Sequence, residues 1–270
     1  MTENLRPLRL NLKNMQAEQA IFDLTGKVAI ITGASKGIGE DIARLFARFG
    51  AKVVVSSRKQ DACDALANDI KASGGEATGI AAHVGDMDQL ARLVEQTTAA
   101  YGGVDILVNN AASNPVFGPS LDCDGAAFDK IMQANVKAPF ELSKLCYLSM
   151  KARGGGSIIM MSSIAGHTPD PGLGMYSVSK ASLNMLTKVL AKEWGPDGIR
   201  VNAICPGLIK TKFSQALWQD EKTLDHFTKR LPIARMGTTD EISPLALFLA
   251  SGASSYSTGG LFYADGGTVI

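Results

Sequence analysis

The amino-acid sequence predicts an α/β protein with one doubly wound domain, in which a seven-stranded, mainly parallel sheet carries helices on both faces. The first observation is a regular alternation of short apolar, β-branched runs with longer amphipathic segments, which continues from residue 27 to the C-terminus. Such runs fit strands buried on both faces, and the alternation implies crossover helices between parallel strands. The second observation is that no Pro-, Gly- or Ser-rich linker divides the 270 residues, which favours a single domain.

The predicted elements follow one another in a simple order. Strand-like runs lie at 27–32, 51–56, 77–82, 104–109, 157–162, 200–205 and 261–264. Helical patterns lie at 37–49, 60–73, 87–101, 124–152, 176–194 and 239–251. We assign 23–270 to the domain and 1–22, which is mostly polar, to an N-terminal extension. Residues 208–236 break the alternation after the sixth strand, where a lid over an active site is expected; a packed surface insertion is the alternative.

Composition excludes several classes of protein. The net charge is +1, which gives no electrostatic reason to expect nucleic acid or an anionic membrane as a partner. No apolar run approaches the roughly 18 residues of a membrane span, and the N-terminus lacks the apolar centre of a secretory signal. The cysteines are widely spaced, so buried thiols in the cytoplasm are expected rather than disulfides or a metal site. They are Cys63, Cys123, Cys146 and Cys205.

A glycine-rich turn follows the first predicted strand and opens a helix. It contains Gly33, Ser35, Lys36, Gly37, Ile38 and Gly39. Glycines allow a tight turn and a close approach of the backbone to a pyrophosphate, while the helix N-terminus offers free N–H groups and partial positive charge. Such a turn alone is a weak signal, but its place after the first strand of a doubly wound sheet predicts a dinucleotide site.

The end of the second strand predicts which dinucleotide binds. An acidic residue there would bind a ribose 2′-hydroxyl and repel a 2′-phosphate. This sequence instead has Ser57, Arg58 and Lys59, and Lys36 in the glycine turn adds another cation. An arginine fork suits a phosphate dianion, so NADP(H) is predicted over NAD(H), with solvated surface charge as the alternative.

Tyr176 and Lys180 are the candidate chemical centre. Four residues apart in a helical pattern, they share one face. A nearby ammonium lowers the pKa of a phenol, which could then exchange a proton with a carbonyl oxygen while hydride reaches carbon. The pair is common by chance, so context matters. Ser163 ends the fifth strand thirteen residues earlier, with Ser162 as its neighbour and rival, where a ligand crevice is expected.

These motifs together resemble the short-chain dehydrogenase/reductase family over about 26–268. The motifs are 32–39, Asn109-Asn110-Ala111, Asn135, Ser163, Tyr176-x3-Lys180, Pro206-Gly207 and Asp265-Gly266-Gly267. The resemblance implies a Rossmann-type domain in which Tyr176 is the acid–base and Ser163 orients the carbonyl. It further implies that Lys180 holds the nicotinamide ribose and lowers the tyrosine pKa, and that Asn135 holds a water in a proton relay.

The resemblance also implies cofactor contacts. Lys36 and Arg58 match the family's cofactor-preference positions and favour NADP(H). The remaining implied contacts are made by Asn110, Ala111, Pro206, Gly207, Ile209 and Thr211. One departure stands after the third strand, where His83-Val84 replaces the usual aspartate, so adenine contact would rest on the Val84 backbone. His83 agrees with one branch that the chain resembles, the NADPH-dependent carbonyl reductases of the peroxisomal type. The peroxisomal tail signal is absent, which favours the cytoplasm.

Two other functions remain open. A 3-oxoacyl-carrier-protein reductase would share every catalytic motif but would need basic residues for its acidic carrier. Asp197 occupies one such place, while the other region keeps Lys151 and Arg153. A non-catalytic NADP(H)-binding protein of this fold would generally lack the tyrosine or lysine. Apolar residues on several faces of 124–152 and 176–194 predict a homotetramer or homodimer. The predicted substrate is a small carbonyl or alcohol compound.

Overall fold

A computed structural model describes residues 20–219, 224–225, 228–229 and 231–270. These residues form seven strands: β1 Val28–Thr32, β2 Lys52–Ser56, β3 Glu76–Gly79, β4 Ile106–Asn109, β5 Gly156–Met161, β6 Ile199–Pro206 and β7 Leu261–Ala264. The helices of this part are α1 Ile38–Arg48, α2 Gln60–Ala72, α3 Met87–Tyr101, α4 Gly125–Met132, α5 Ala138–Ala152, α6 Gly174–Trp194, α7 Gln215–Trp218 and α8 Ser243–Ala250.

The strands form one sheet in the order β3-β2-β1-β4-β5-β6-β7. All six strand pairings are parallel, so the predicted doubly wound α/β fold is confirmed. The chain order reverses between β1 and β4, which opens a crevice at the carboxyl edge of these two neighbouring strands. The predicted cofactor and catalytic segments all follow the carboxyl ends of strands, so they lie on this edge.

The core has two halves because neighbouring strand residues point to opposite faces. Ile31 and Val55 belong to a buried cluster with α1, α2 and α8, while Ile30 and Val54 belong to one with α3, α5 and α6. Burial on both faces explains why the central strands are mostly apolar. No helix within the described ranges has the length and hydropathy to cross a membrane.

Several predicted element boundaries differ from the structure, three of them in ways that matter for the site or the sheet. The predicted helix 124–152 is two α-helices joined by a π-helical segment, Gln133–Lys137. The last helix begins later than predicted, after a 3₁₀ turn at Thr239–Glu241. β3 ends at Gly79, although Ile80 and Ala82 still donate their N–H groups to the carbonyls of Val55 and Ser57 at 3.0 and 2.9 Å.

The N-terminal boundary lies slightly before the predicted residue 23. Phe22 packs on the core, and the carbonyl of Ile21 accepts a hydrogen bond from Ala253 at 3.1 Å. The rest of the predicted extension, 1–19, lies outside the described residues. So do 220–223, 226–227 and 230 of the predicted lid. Ile209, near the start of the predicted lid, pairs with Gly237, just after its end. The predicted lid therefore begins and ends at the same place in the structure.

A buried carboxylate fixes the amino edge of the sheet, opposite the crevice. Asp105 accepts the backbone N–H of Val28 at 2.8 Å and two hydrogen bonds from the Arg153 guanidinium at 2.9 and 2.8 Å. Its side chain is 5% exposed, whereas Lys27, 3.9 Å away, is 53% exposed. Arg153 is therefore the partner that compensates the buried charge.

Arg153→Met should lower the free energy of unfolding by about 2–4 kcal/mol, because it leaves a buried carboxylate without its bidentate partner. Lys27→Met is the matched control and should change it by less than about 0.5 kcal/mol, as exposed ion pairs contribute little. Urea unfolding of the three proteins measures both differences. Equal effects of the two substitutions would contradict this account of the amino edge.

Candidate active site

The glycine turn forms a cradle between β1 and β4. Gly33 and Gly37 both have φ of 63°, a backbone conformation that favours glycine. A Cβ on Gly39 would lie 2.5 Å from Nδ2 of Asn110, so no side chain fits there. That amide donates to the carbonyls of Thr32 and Gly33 at 2.9 and 3.2 Å, which ties the end of β4 to the turn.

The cradle has the chemistry that a pyrophosphate needs. No side chain caps the N-terminus of α1, so its first backbone N–H groups face the crevice without a side-chain acceptor. Ala111 and Gly33 approach each other closely, because a Cβ on the glycine would lie 3.0 Å from the Ala111 Cα. The turn therefore fits the phosphates of a dinucleotide, as its position in the sequence predicts.

The predicted adenosine end lies at the carboxyl ends of β2 and β3. Arg58 and Lys36 are exposed. The polar groups of Ser57 already have a partner within the protein, since its backbone N–H and its hydroxyl lie 3.1 and 3.2 Å from the sulfur of Cys63. His83 serves its own turn, in which Nδ1 accepts the N–H of Gly85 at 3.0 Å. The half-buried Val84 lies beside the crevice with Thr32 and Ala111, and its contact with adenine stays a prediction.

The catalytic candidates converge after β5. Tyr176 is 8% exposed and Lys180 is 2% exposed, on one face of α6. The Lys180 ammonium donates to the carbonyl of Met161 at 2.7 Å and lies 5.5 Å from the centre of the Tyr176 ring. Ser163 accepts the N–H of Ala165 at 3.1 Å, which caps a 3₁₀ turn at Ile164–Gly166, and its hydroxyl lies close enough to Tyr176 to lower the pKa of the phenol.

Burial dominates the electrostatics of this pair. It raises the pKa of Tyr176 to about 12, and the nearby Ser163 hydroxyl lowers that pKa only in part. Burial also lowers the pKa of Lys180 to about 8. The Lys180 ammonium is directed to the Met161 carbonyl, and desolvation disfavours its charge. The expected lowering of the tyrosine pKa by the lysine stays a prediction.

Asn135 lies fully buried in the π-helical segment, a type of distortion that is frequent at functional sites. Its amide oxygen accepts the N–H of Ser113 at 2.8 Å, and its nitrogen donates to the Ser113 carbonyl and the Ser179 hydroxyl, both at 3.0 Å. Both amide hydrogens are thus used by the protein. A water in the predicted relay would therefore have to bind the backbone carbonyl of Asn135 rather than donors of its side chain.

The segment after β6 lies beside the glycine turn, where its predicted role is to line the nicotinamide. Pro206 ends β6, and Gly207 packs so closely on Asp265 that a Cβ would lie 2.7 Å from its Cα. A Cβ on Gly37 would lie 3.6 Å from the Thr211 methyl group, so the base of the lid reaches the glycine turn. Ile209 is buried just before it. These residues lie together as predicted.

The first part of the predicted lid lies beside the tyrosine. The ring of Phe213 lies 6.0 Å from that of Tyr176, and Trp218 Nε1 donates to the Thr211 carbonyl at 3.1 Å. Phe227, a predicted lid residue, lies outside the described residues. In the part of the chain that the structure describes, no three His, Cys, Asp or Glu side chains gather as metal ligands.

Two buried polar side chains at the site were missed from sequence. Ser179 connects Asn135 to α6, and its hydroxyl donates to the Tyr176 carbonyl at 2.6 Å. Asn184, one turn after Lys180, accepts the Ser162 hydroxyl at 2.6 Å. Their signal was present, since both fall on the helix face that carries Tyr176 and Lys180.

Comparisons with known proteins agree with this geometry. A family model described as Enoyl-(Acyl carrier protein) reductase matches residues 33–269. Dehydrogenase/reductase SDR family member 4 of Sus scrofa is 44% identical over 245 residues, which cover 91% of this chain and 88% of the relative. A tropinone reductase homolog of Arabidopsis thaliana is 36% identical over 92% of this chain and 94% of its own.

Solved structures show the same fold. A 7α-hydroxysteroid dehydrogenase complexed with NADH and 7-oxo glycochenodeoxycholic acid has a TM-score of 0.88 and 35% identity, covering 92% of this chain and 96% of its own. A gluconate 5-dehydrogenase from Burkholderia cenocepacia J2315, in complex with NADP and tartrate, has a TM-score of 0.90 and 32% identity over 93% and 98%. The resemblance seen in the motifs is confirmed: the chain belongs to the short-chain dehydrogenase/reductase family of oxidoreductases.

Proposed function

We propose that the protein interconverts a ketone or aldehyde and an alcohol by hydride transfer with NADP(H), and that Tyr176 is the acid–base. One observation carries the proposal: Tyr176, with Ser163 near it after β5, shares a helix face with buried Lys180, at the sheet edge that also holds the glycine turn. A bound nicotinamide would supply or accept the hydride. The protein's part is to hold the oxygen and move its proton.

Each side chain has a distinct task in this reaction. Ser163 orients the substrate oxygen toward Tyr176. A pKa of about 12 keeps the phenol protonated at neutral pH, which is the form that donates a proton to a carbonyl oxygen as carbon gains hydride. In the oxidative direction the alcohol proton returns to the phenolate. Positive charge nearby stabilises that phenolate, and Lys180 is the closest buried source of it.

Tyr176→Phe should lower kcat for carbonyl reduction by about 10²–10⁴-fold, because it removes only the group that transfers the proton. NADPH binding, measured by fluorescence titration, should be unchanged. Tyr101→Phe, which removes a hydroxyl bonded to Thr78 far from the crevice, is the matched control and should keep full activity. A screen across ketones, diketones, quinones and acyl thioesters provides the assay. Retained activity in Tyr176→Phe would overturn the mechanism.

The preference for NADP(H) over NAD(H) is supported by charge at the adenosine end. Arg58 and Lys36 are both exposed there, and neither makes an ion pair among the described residues. The end of β2 carries no carboxylate that would repel a 2′-phosphate. A guanidinium can bind such a phosphate through two parallel hydrogen bonds.

Arg58→Asp should raise the KM for NADPH by at least about tenfold while leaving the KM for NADH unchanged or lower, since it replaces the phosphate partner with a repelling charge. Lys71→Asp makes the same charge change at the far end of α2 and is the control. Steady-state rates with both cofactors measure the ratio. A wild-type preference for NADH, or an unchanged NADPH affinity in Arg58→Asp, would contradict the proposal.

Lys180 makes the stability of the protein depend on pH. Its pKa is about 8 in the folded protein, below the ordinary 10.5. Below pH 8 Lys180 is charged in both the folded and the unfolded protein. Between pH 8 and 10.5 the unfolded chain binds a proton at Lys180 that the folded chain does not. Relative to Lys180→Met, the free energy of unfolding of the wild type should therefore rise by about 2 kcal/mol from pH 7 to 9.5.

Urea unfolding of both proteins at the two pH values tests this linkage. Lys188→Met removes an exposed lysine from the same helix and is the control; its difference from the wild type should be the same at both values. A difference for Lys180→Met that falls as pH rises would have the opposite sign and would contradict burial as the cause.

The carrier-protein alternative is less well supported by the surface. Lys151 lies 2.9 Å from Asp197, and Arg153 is held by Asp105. The two cations that could bind an acidic carrier are therefore already paired within the chain. The non-catalytic alternative is tested by the Tyr176→Phe comparison, because a protein that only binds the cofactor would show no activity to lose.

The surroundings of the site support a further description. We propose a mostly apolar substrate pocket lined by Asn114, Phe117, Leu173, Met175, Phe213, Leu217 and Trp218. We also propose a homotetramer or homodimer, because several large apolar side chains are exposed on α4, α5 and α6. These are Phe128, Leu145, Leu148, Val178, Met185 and Val189. The cytoplasmic location stays a prediction.

A further inference from the structure

Asn184 joins the separate segments that carry the proposed reaction. It lies on α6 one turn after Lys180 and is 6% exposed, so its side chain is almost wholly buried in the protein. Its amide oxygen accepts the Ser162 hydroxyl at 2.6 Å and lies 3.8 Å from the Cys205 sulfur. Its amide nitrogen donates to the Gly166 carbonyl at 3.2 Å. One side chain thus contacts the end of β5, the 3₁₀ turn after it and the end of β6.

The orientation of the Asn184 amide follows from its partners. The Gly166 carbonyl can only accept, so the amide nitrogen must point toward it. The amide oxygen then faces Ser162 and Cys205, which both carry a hydrogen to donate. A flipped amide would place two oxygens against each other at Gly166. The polar atoms of Asn184 are therefore matched in one orientation only.

The 3₁₀ turn Ile164–Gly166 packs directly on α6 beside Lys180 and Asn184. A Cβ on Gly166 would lie 2.7 Å from the Lys180 carbonyl carbon and 2.9 Å from the Asn184 amide nitrogen. Ser163 caps this same turn, and Ser162 immediately precedes it. The position of the Ser163 hydroxyl relative to Tyr176 therefore depends on how this turn is held against the helix.

We infer that Asn184 is a positioning residue of the hydride-transfer reaction, which holds the Ser163 turn against α6 and so sets the distance from Ser163 to Tyr176. The inference rests on the proposed roles of Ser163 and Tyr176. It does not make Asn184 a catalytic residue, because no atom of Asn184 reaches the crevice. Asn184 would affect the reaction rate through the position of Ser163. This effect on the rate can therefore be distinguished from a loss of protein stability.

A double-mutant cycle in the full-length chain tests the inference. Asn184→Leu keeps the size of the side chain and removes both bonds. We expect its kcat to fall by about 10–100-fold, with an unchanged Kd for NADPH, because a displacement near 1 Å can cost about 10²-fold. In a Ser163→Ala background the same substitution should lower the residual kcat by less than threefold, because the group that it positions is already absent.

Thr187→Val is the matched control for loss of a buried polar group on the same face of α6. Its hydroxyl bonds only within the helix, to the Leu183 carbonyl at 2.8 Å, so kcat should stay within twofold of the wild type. Ser162→Ala removes the Asn184 bond from the other side and should give a smaller loss of kcat of the same kind. It also serves as the test if Asn184→Leu does not fold.

The possible outcomes separate the inference from the proposed function. Full activity in Tyr176→Phe or Ser163→Ala would overturn the proposed function. If those variants lose activity while Asn184→Leu keeps it, only the inference fails. It also fails if the losses from Asn184→Leu and Ser163→Ala multiply, or if NADPH affinity falls together with kcat, since a merely structural role predicts those results.

Discussion

The burial of the Lys180 ammonium is the constraint on which the site depends. A side chain that is 2% exposed loses its hydration, and desolvation brings its pKa down to about 8. The Met161 carbonyl, 2.7 Å away, replaces part of that lost water. Burial of the neighbouring Tyr176 acts in the opposite direction on an acid that is neutral when protonated, so its pKa rises. The same buried environment therefore favours a neutral phenol and makes the protonation of the lysine sensitive to any charge that is placed nearby.

The sheet makes this burial possible by bringing distant segments together at one edge. Parallel strands place the ends of β1, β4, β5 and β6 side by side, and the helices that follow them cover both faces. Close approach then depends on small residues and on matched hydrogen bonds. Asn110 ties β4 to the glycine turn, and Asn135 and Asn184 tie α6 to its neighbours. The amides of Asn135 and Asn184 each supply both a donor and an acceptor, so each can join two segments while its own polar atoms stay paired.

Sequence reasoning predicted what depends on local spacing. Short-range patterns indicate the seven strands, the glycine turn and the pair formed by Tyr176 and Lys180. A few residues are enough to show the periodicity of a strand or of a helix face. The π-helical segment at Gln133–Lys137 was missed, since apolar periodicity alone does not distinguish it from the α-helices on either side. The helix face of Asn184 follows from its spacing, but its partners do not. Like the pairing of Arg153 with Asp105, they depend on contacts between residues 18–48 positions apart, which no local pattern encodes.

The tyrosine pKa shows the same limit in physical terms. Helical spacing correctly places Lys180 beside Tyr176, but it does not specify where the ammonium points. The carbonyl of Met161, at the end of β5, determines that direction, and only the assembled sheet brings it within reach. The reactivity of the pair is therefore set by strand β5 as much as by helix α6. For this reason a residue such as Asn184, which holds the segment after β5 against the helix, can influence the reaction without reaching the substrate.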